Sequence, residues 1–153
     1  MFTQKQEEEL VELLCLLNSN TRIYIGTDSS RFVENNVWYA RYVTVLVVHK
    51  DGSRGCKIFR EEHVARDYDN KKNRPSIRLM TEVQKSCELY TQLASLIDSY
   101  DIEIHLDIST NEKNGSSCVA TQAAGYVLGV TGLEAKMKPE AWAASTSADR
   151  YTK

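Results

Sequence analysis

The sequence has little of what breaks or staples a chain. Of its 153 residues only two are proline and seven are glycine. No linker, repeat or low-complexity stretch divides it, so a single domain over 1–153 is expected, with an N-terminal helix within 1–20 and a core over 21–153. There are four cysteines, but Cys15, Cys56, Cys87 and Cys118 stand far apart, with neither a CxxC nor the Cys-to-His spacing of a zinc site. Their surroundings (LLCLL, GCKIF, KSCEL, SSCVA) predict buried, reduced thiols rather than a disulfide framework. No apolar run approaches the ~18–20 residues that cross a bilayer. MFTQKQEEEL has neither the basic nor the apolar region of a secretory signal. A cytoplasmic location and no membrane partner are therefore expected.

Basic charge is not in excess either: 19 Lys and Arg face 21 Asp and Glu, for a net charge of −2. A protein that grips nucleic acid chiefly by releasing counterions is basic. Any nucleic-acid contact here has to come from a local patch or from metal ions bridging to phosphate. There is no GxSxG around Ser29 or Ser30, so a hydrolase triad is discounted. IGTDS is weakly similar to the phosphate loop of actin-like ATPases. It lacks the glycine that lets backbone approach phosphate, and the chain is too short for two such domains.

What remains is a 42% hydrophobic chain, enough for one substantial core. A helix is predicted from Gln4 to Leu17, with Leu10, Leu13, Leu14 and Leu17 on one stripe and Glu7, Glu8 and Glu9 near its start. RIYIGT (22–27) reads as a strand stopped by an Asp28-Ser29-Ser30 turn. Val37 to His49 is the strongest strand, Lys50-Asp51-Gly52-Ser53 a hairpin signal, and Gly55 to Arg60 the returning strand. Residues 61–75 read as a polar loop. Ser76 to Tyr100 is a long helix whose buried stripe runs through Leu79, Val83, Cys87, Tyr90, Leu93 and Ile97. A strand (Ile102 to Ile108), a small-residue helix (Ser116 to Leu128, closed by Gly129 and Gly132) and a short strand (Ala135 to Lys138) follow. Pro139 is placed to open a last helix through Trp142 and Asp149. The order implies an α/β fold: a mixed sheet, with a three-strand antiparallel meander plus parallel strands, flanked by helices.

Most acids need no more explanation than solubility. Glu7 to Glu9, Glu61, Glu62, Asp67 and Asp69 read as solvated charge on exposed faces and loops. Four others are placed differently. Asp28 ends an almost wholly apolar strand, where it is either turn chemistry or a functional carboxylate. Asp107 lies inside a strand, on the side shared with His105, either on a wet edge face or buried at a cost. Glu82 falls about 80° from the centre of its helix stripe, at the margin of the packed face, whereas Glu88 lies nearly opposite and is solvated. Trp142, Ser145 and Asp149 share a helical face, so a Trp142 packed on the sheet turns Asp149 inward; the alternative is a surface acid paired with Arg150 or Lys153. Each of the four sits where its element meets one end of the predicted sheet. Carboxylates brought together there repel unless cations occupy the site. Oxygen-only ligation favours Mg²⁺ or Mn²⁺ over zinc, and two such ions ~4 Å apart serve in-line phosphoryl displacement.

IGTDS (25–29), VTVLVVHKDG (43–52), RLMTEVQKS (78–86), IHLDIS (104–109) and KPEAWAASTSADRYTK (138–153) together resemble the RNase H-like superfamily. More specifically they resemble the YkuK-type branch of predicted RNase H-like nucleases. The resemblance implies an Asp-Glu-Asp-Asp site of Asp28, Glu82, Asp107 and Asp149 holding two Mg²⁺ or Mn²⁺ ions. Asp28 would touch both, Glu82 and Asp107 the ion near the leaving group, and Asp149 the ion carrying the nucleophile. It implies a nuclease acting on RNA, an RNA–DNA hybrid or structured DNA. The competing expectation is a non-catalytic nucleic-acid-binding or assembly module that keeps the fold. Lys71, Lys72 and Arg74, with Arg150 and Lys153, are candidate phosphate contacts, against the alternative of plain soluble charge. His105 is either a satisfied histidine or a proton shuttle.

Overall fold

A computed structural model describes residues 1–50, 55–69, 76–111, 117 and 119–143. Helix α1 (Gln4–Cys15) starts at a capping box, with Thr3 and Gln6 satisfying each other's backbone amides. Strands β1 (Arg22–Glu34), β2 (Val37–His49) and β3 (Cys56–Arg66) form the antiparallel meander. Helix α2 (Ser76–Ile97), strand β4 (Asp101–Ser109), helix α3 (Ala120–Thr131) and strand β5 (Lys136–Lys138) follow. The sheet order is β3-β2-β1-β4-β5, with β1–β4 and β4–β5 parallel. The α/β class, the mixed sheet and the leading helix are as expected.

Several boundaries differ, for physical reasons. Asp28-Ser29-Ser30 is not a turn: β1 runs on to Glu34, and Asp28 pairs with Val43 in its interior. The turn is Asn35-Asn36, with φ of 51° and 63°. A two-residue hairpin loop of that hand needs positive φ at both positions, which asparagine tolerates. β3 likewise continues to Arg66 through residues that look like loop. Gly129 lies within α3, which ends only at Gly132 in a left-handed conformation, its N–H donating to Leu128 O. Pro139 sits in a turn after a cis peptide bond, not in a first helical turn.

All three described helices pack on one face of the sheet. Their buried side chains (Leu10, Leu14, Val83, Leu93, Val127) join Ile23, Ile25, Leu46, Ile104 and Leu106 in one core. The other face holds a smaller cluster of Tyr24, Val43, Val45, Val47 and Ala143, with Trp142 against it. Strand alternation assigns the faces. Odd residues of β1 meet the helices, and even ones, Asp28 included, face away. Of the described cysteines only Cys87 is buried, its thiol pushed up to about 11 by burial, whereas Cys15 and Cys56 are exposed.

Candidate functional site

The parallel pairing of β1 with β4 ends at Gly26 opposite His105. Asp28 and Asp107 each stand two residues beyond that last pair, on the face turned away from α2. The strands part there, and the gap beyond the carboxyl ends of parallel strands is where open α/β sheets present ligand-binding groups. Asp28 is 8% exposed. Lys138 of β5 brings its Nζ to 2.6 Å from Asp107 Oδ1. That oxygen is sealed from solvent and receives no aligned hydrogen bond, so the contact is an ion pair rather than a directed bond.

Glu82 approaches from the helix side. It is buried on α2, and Ser29 Oγ donates to its Oε1 at 2.5 Å. One helical turn away, Ser86 Oγ lies 2.7 Å from Thr27 Oγ1, which is 3.0 Å from Thr44 Oγ1. This ladder of small hydroxyls seats α2 on β1 and β2 without a clash. Burial pushes the proton affinity of Glu82 well above the ordinary glutamate range; the Ser29 bond opposes this, and the charges of Asp28 and Asp107 add to it. Glu88 is exposed, as its position on the helix requires.

The start of α2 is held by acids that read as mere solvated charge in the sequence. Asp69 accepts from the Ile77 and Arg78 amides, at 2.9 and 2.8 Å. Its own N–H donates to Asp67. Asp67 is buried and ion-paired to Arg31 of β1. Arg31 in turn lies over the Trp38 ring. Asp67 and Asp69 are thus structural groups that fix where Glu82 stands.

His105, wholly buried, is a satisfied histidine. Its Nδ1 accepts from the Trp142 and Ala143 amides, at 3.2 and 3.1 Å, and its Nε2 meets Glu103 at 3.0 Å. Two donors on Nδ1 leave no room for a proton there. Burial lowers its proton affinity further, against the pull of Glu103. Trp142 packs on Tyr24, His49 and His105, the sheet anchor its sequence position suggests.

A family model described as Ribonuclease H-like matches residues 9–153. The chain belongs to the Ribonuclease H-like family. No curated protein and no solved structure matches it. Of the four acids singled out in this Ribonuclease H-like chain, Asp28, Glu82 and Asp107 come to one end of the sheet. Asp149 lies outside the described residues, as do Lys71, Lys72, Arg74, Arg150 and Lys153. Ser29 and Lys138 are contacts that the sequence does not reveal: Ser29 reads there as a turn residue or a candidate nucleophile, and Lys138 depends on the β4–β5 register.

The donor set can be tested against the divalent ion that an RNase H-like site implies. Among the described residues no three His, Cys, Asp or Glu side chains gather closely enough to hold one ion. Asp28 and Asp107 share one face, and Glu82 reaches in from the other. Two observations nevertheless fit a hard cation. The donors are all carboxylate oxygens, and Glu82 is a buried carboxylate whose charge is opposed by its two neighbours. Asp107 already draws an ammonium group onto an oxygen shut off from water. No described helix is long and apolar enough to cross a membrane.

Proposed function

We propose that this RNase H-like chain, of the YkuK type, is a divalent-metal-dependent nuclease that hydrolyses phosphodiester bonds of RNA, RNA–DNA hybrid or structured DNA. The observation that carries the reading is that Asp28 and Asp107 stand where β1 and β4 part, near enough for their charges to act on the buried Glu82 behind them. Asp28, Glu82 and Asp107, with Asp149 from the last segment, would hold Mg²⁺ or Mn²⁺. Bound there, the ions supply charge neutralisation and an activated water for in-line displacement at phosphorus. The chain's own groups set the stage. Ser29 fixes the orientation of the Glu82 carboxyl, Lys138 holds Asp107, and the Asp67–Asp69–α2 linkage keeps Glu82 at the sheet end.

Thermal melting with Mg²⁺ or Ca²⁺, beside cleavage assays in Mn²⁺ on hybrid, duplex and branched substrates, tests this. Wild type is expected to melt higher with metal and to cleave at least one substrate. Asp28→Asn should lose both, with cleavage falling by more than the ~10–100-fold that disturbing a ligand's outer partner costs. Equal metal shifts in both proteins would remove the site from Asp28. One observation favours a second reading, a non-catalytic module of the same fold: Lys138 already neutralises Asp107. Absence of cleavage on every substrate would support it.

A further inference from the structure

An acidic chain that handles nucleic acid needs a local surface to hold it, and the far half of the meander carries one. We propose that the open face of β1, β2 and β3 binds a single nucleic-acid strand, its bases stacking on Phe32, Tyr39 and Tyr68 and its phosphates meeting Arg41 and Arg66. The proposal rests on the nucleic-acid reading of the site, but not on cleavage.

Register and alternation put these residues together. Phe32 pairs with Tyr39, and Tyr39 with Arg66, so all three share the face of Asp28. The Phe32 and Tyr39 rings stack at 5.6 Å and 21°. Phe32 is 36% exposed and Tyr68 60%, and the Arg66 guanidinium lies 5.2 Å from the Tyr68 ring centre. No described helix packs on this face. Rings left in water beside guanidinium groups form the stacking platform that single strands use, and stacking is tolerant of sequence.

The charge fits the same occupant. Arg41 and Arg60 share one carboxylate, Glu62, at 3.6 and 3.2 Å. Arg66 makes no ion pair among the described residues. Asp28 and Glu62 stand in one cross-strand row through Val43, and beyond that row, at the ring end of the face, Arg41 and Arg66 face Glu34 alone, although the chain as a whole is negative. A second copy docked face to face would crowd guanidinium against guanidinium. Phe32 is four residues along β1 from Asp28, about 13 Å at strand rise, so a strand lying along the hairpin leads to the acids. Bases inside a duplex keep their faces covered; unpaired ones do not.

The test uses the full chain in EDTA, with fluorescence anisotropy of a labelled oligouridine of about fifteen nucleotides. Wild type should bind it, and bind the annealed duplex of the same length at least about tenfold more weakly. Phe32→Ala with Tyr39→Ala should lower strand affinity about tenfold or more, Tyr68→Ala by less, and Tyr39→Phe hardly at all. Arg66→Ala should weaken binding and reduce the salt slope by about one. Unchanged melting of Tyr68→Ala and Arg66→Ala keeps the result clear of misfolding. Equal affinity of these variants and wild type would overturn the proposal, as would duplex binding as tight as the single strand. So would self-association through this face with no strand binding. Strand binding without cleavage in any divalent ion would end the nuclease reading and leave this one standing. Cleavage that Asp28→Asn abolishes, but that the ring and arginine variants leave intact along with binding, would do the reverse.

Discussion

On the helix-covered face of the sheet, Ile23, Ile25, Leu46, Val48, Ile104, Leu106 and Ile108 are buried under α1, α2 and α3, and even the polar groups Thr27, Thr44 and Ser86 are bonded to one another. On the opposite face, the apolar cluster is small and is capped by Trp142 and Ala143. Beyond it come His105, Asp107 and Asp28, and then rings and arginines in solvent. The same strands serve both faces, so the difference is not one of secondary structure. It shows where stability is kept and where the proposed chemistry would be displayed: one face excludes water, and the other holds charges at the edge of water. Glu82 is the exception, a carboxylate proposed as a metal ligand yet rooted in the covered face, whose proton affinity responds to the two acids of the other.

The sharpest test of that contrast is stability. Leu93 on α2 is 0% exposed within the larger core. Leu93→Ala should cost about 3 kcal/mol, through lost burial and the cavity left behind. In a domain of this size that is a fall in Tm of roughly 6–12 °C. Phe32→Ala removes a larger side chain from the open face, yet should cost under about 1 kcal/mol, because a cross-strand ring pair contributes little more. Comparable losses in parallel melts would break the comparison.

His105 belongs to the open face but acts as a polar counterpart of that core. His105→Leu leaves the Trp142 and Ala143 amides without their acceptor, at a cost of about 2 kcal/mol. The pH dependence sharpens it. The folded state favours neutral His105, since its proton affinity is lowered below the ordinary value of 6.5. The unfolded chain therefore binds the extra proton as pH falls below 6.5, and wild type loses stability there. His105→Leu should lack that part of the loss, so the gap between the two proteins narrows on going from neutral to acid pH in denaturant titrations. A gap that widens with acid would mean that His105 is charged in the fold.

The sequence showed the covered face better than the open one. Helix stripes and the VWYARYVTVLVVH strand reflect burial, and burial leaves a periodic trace. The outer halves of β1 and β3 left none, because they are mostly polar and the group that β1 turns toward α2 there, Ser29, is itself polar; DSSRFVE and EEHVAR therefore read as turn and loop. Asn35-Asn36 was the available signal for the hairpin, masked by the equally turn-like Asp28-Ser29-Ser30. Asp67 and Asp69 look solvated because their partners are distant: Arg31 lies on another strand, and the helix start that Asp69 caps is eight residues on. No local capping rule reaches that far. Asp28, Glu82 and Asp107 could be picked out because an acid inside a strand or beside a helix stripe contradicts its surroundings. Lys138 could not, since a lysine at a strand end contradicts nothing.

The smallest expected effect is a gain, and it bears on the one residue that joins the faces. In the folded protein Glu82 resists ionisation, its proton affinity standing well above the ordinary value of 4.5 through burial and the Asp28 and Asp107 charges. The unfolded chain loses its proton first, so stability falls as pH rises above 4.5 and levels off only once the folded carboxyl also ionises. Glu82→Gln keeps an oxygen for Ser29 to donate to and removes the ionisation. Without divalent ions it should therefore melt higher than wild type at pH above the glutamate range, by about 1 kcal/mol or roughly 2–4 °C, and equal it in acid. Mg²⁺ should close the gap from the other side, stabilising wild type increasingly as pH rises and leaving Glu82→Gln nearly unmoved. If Glu82→Gln melts lower than wild type at every pH, its carboxylate is already neutralised by groups within the fold. The contrast between a dry, structural face and a charged, functional one would then lose the residue that links them.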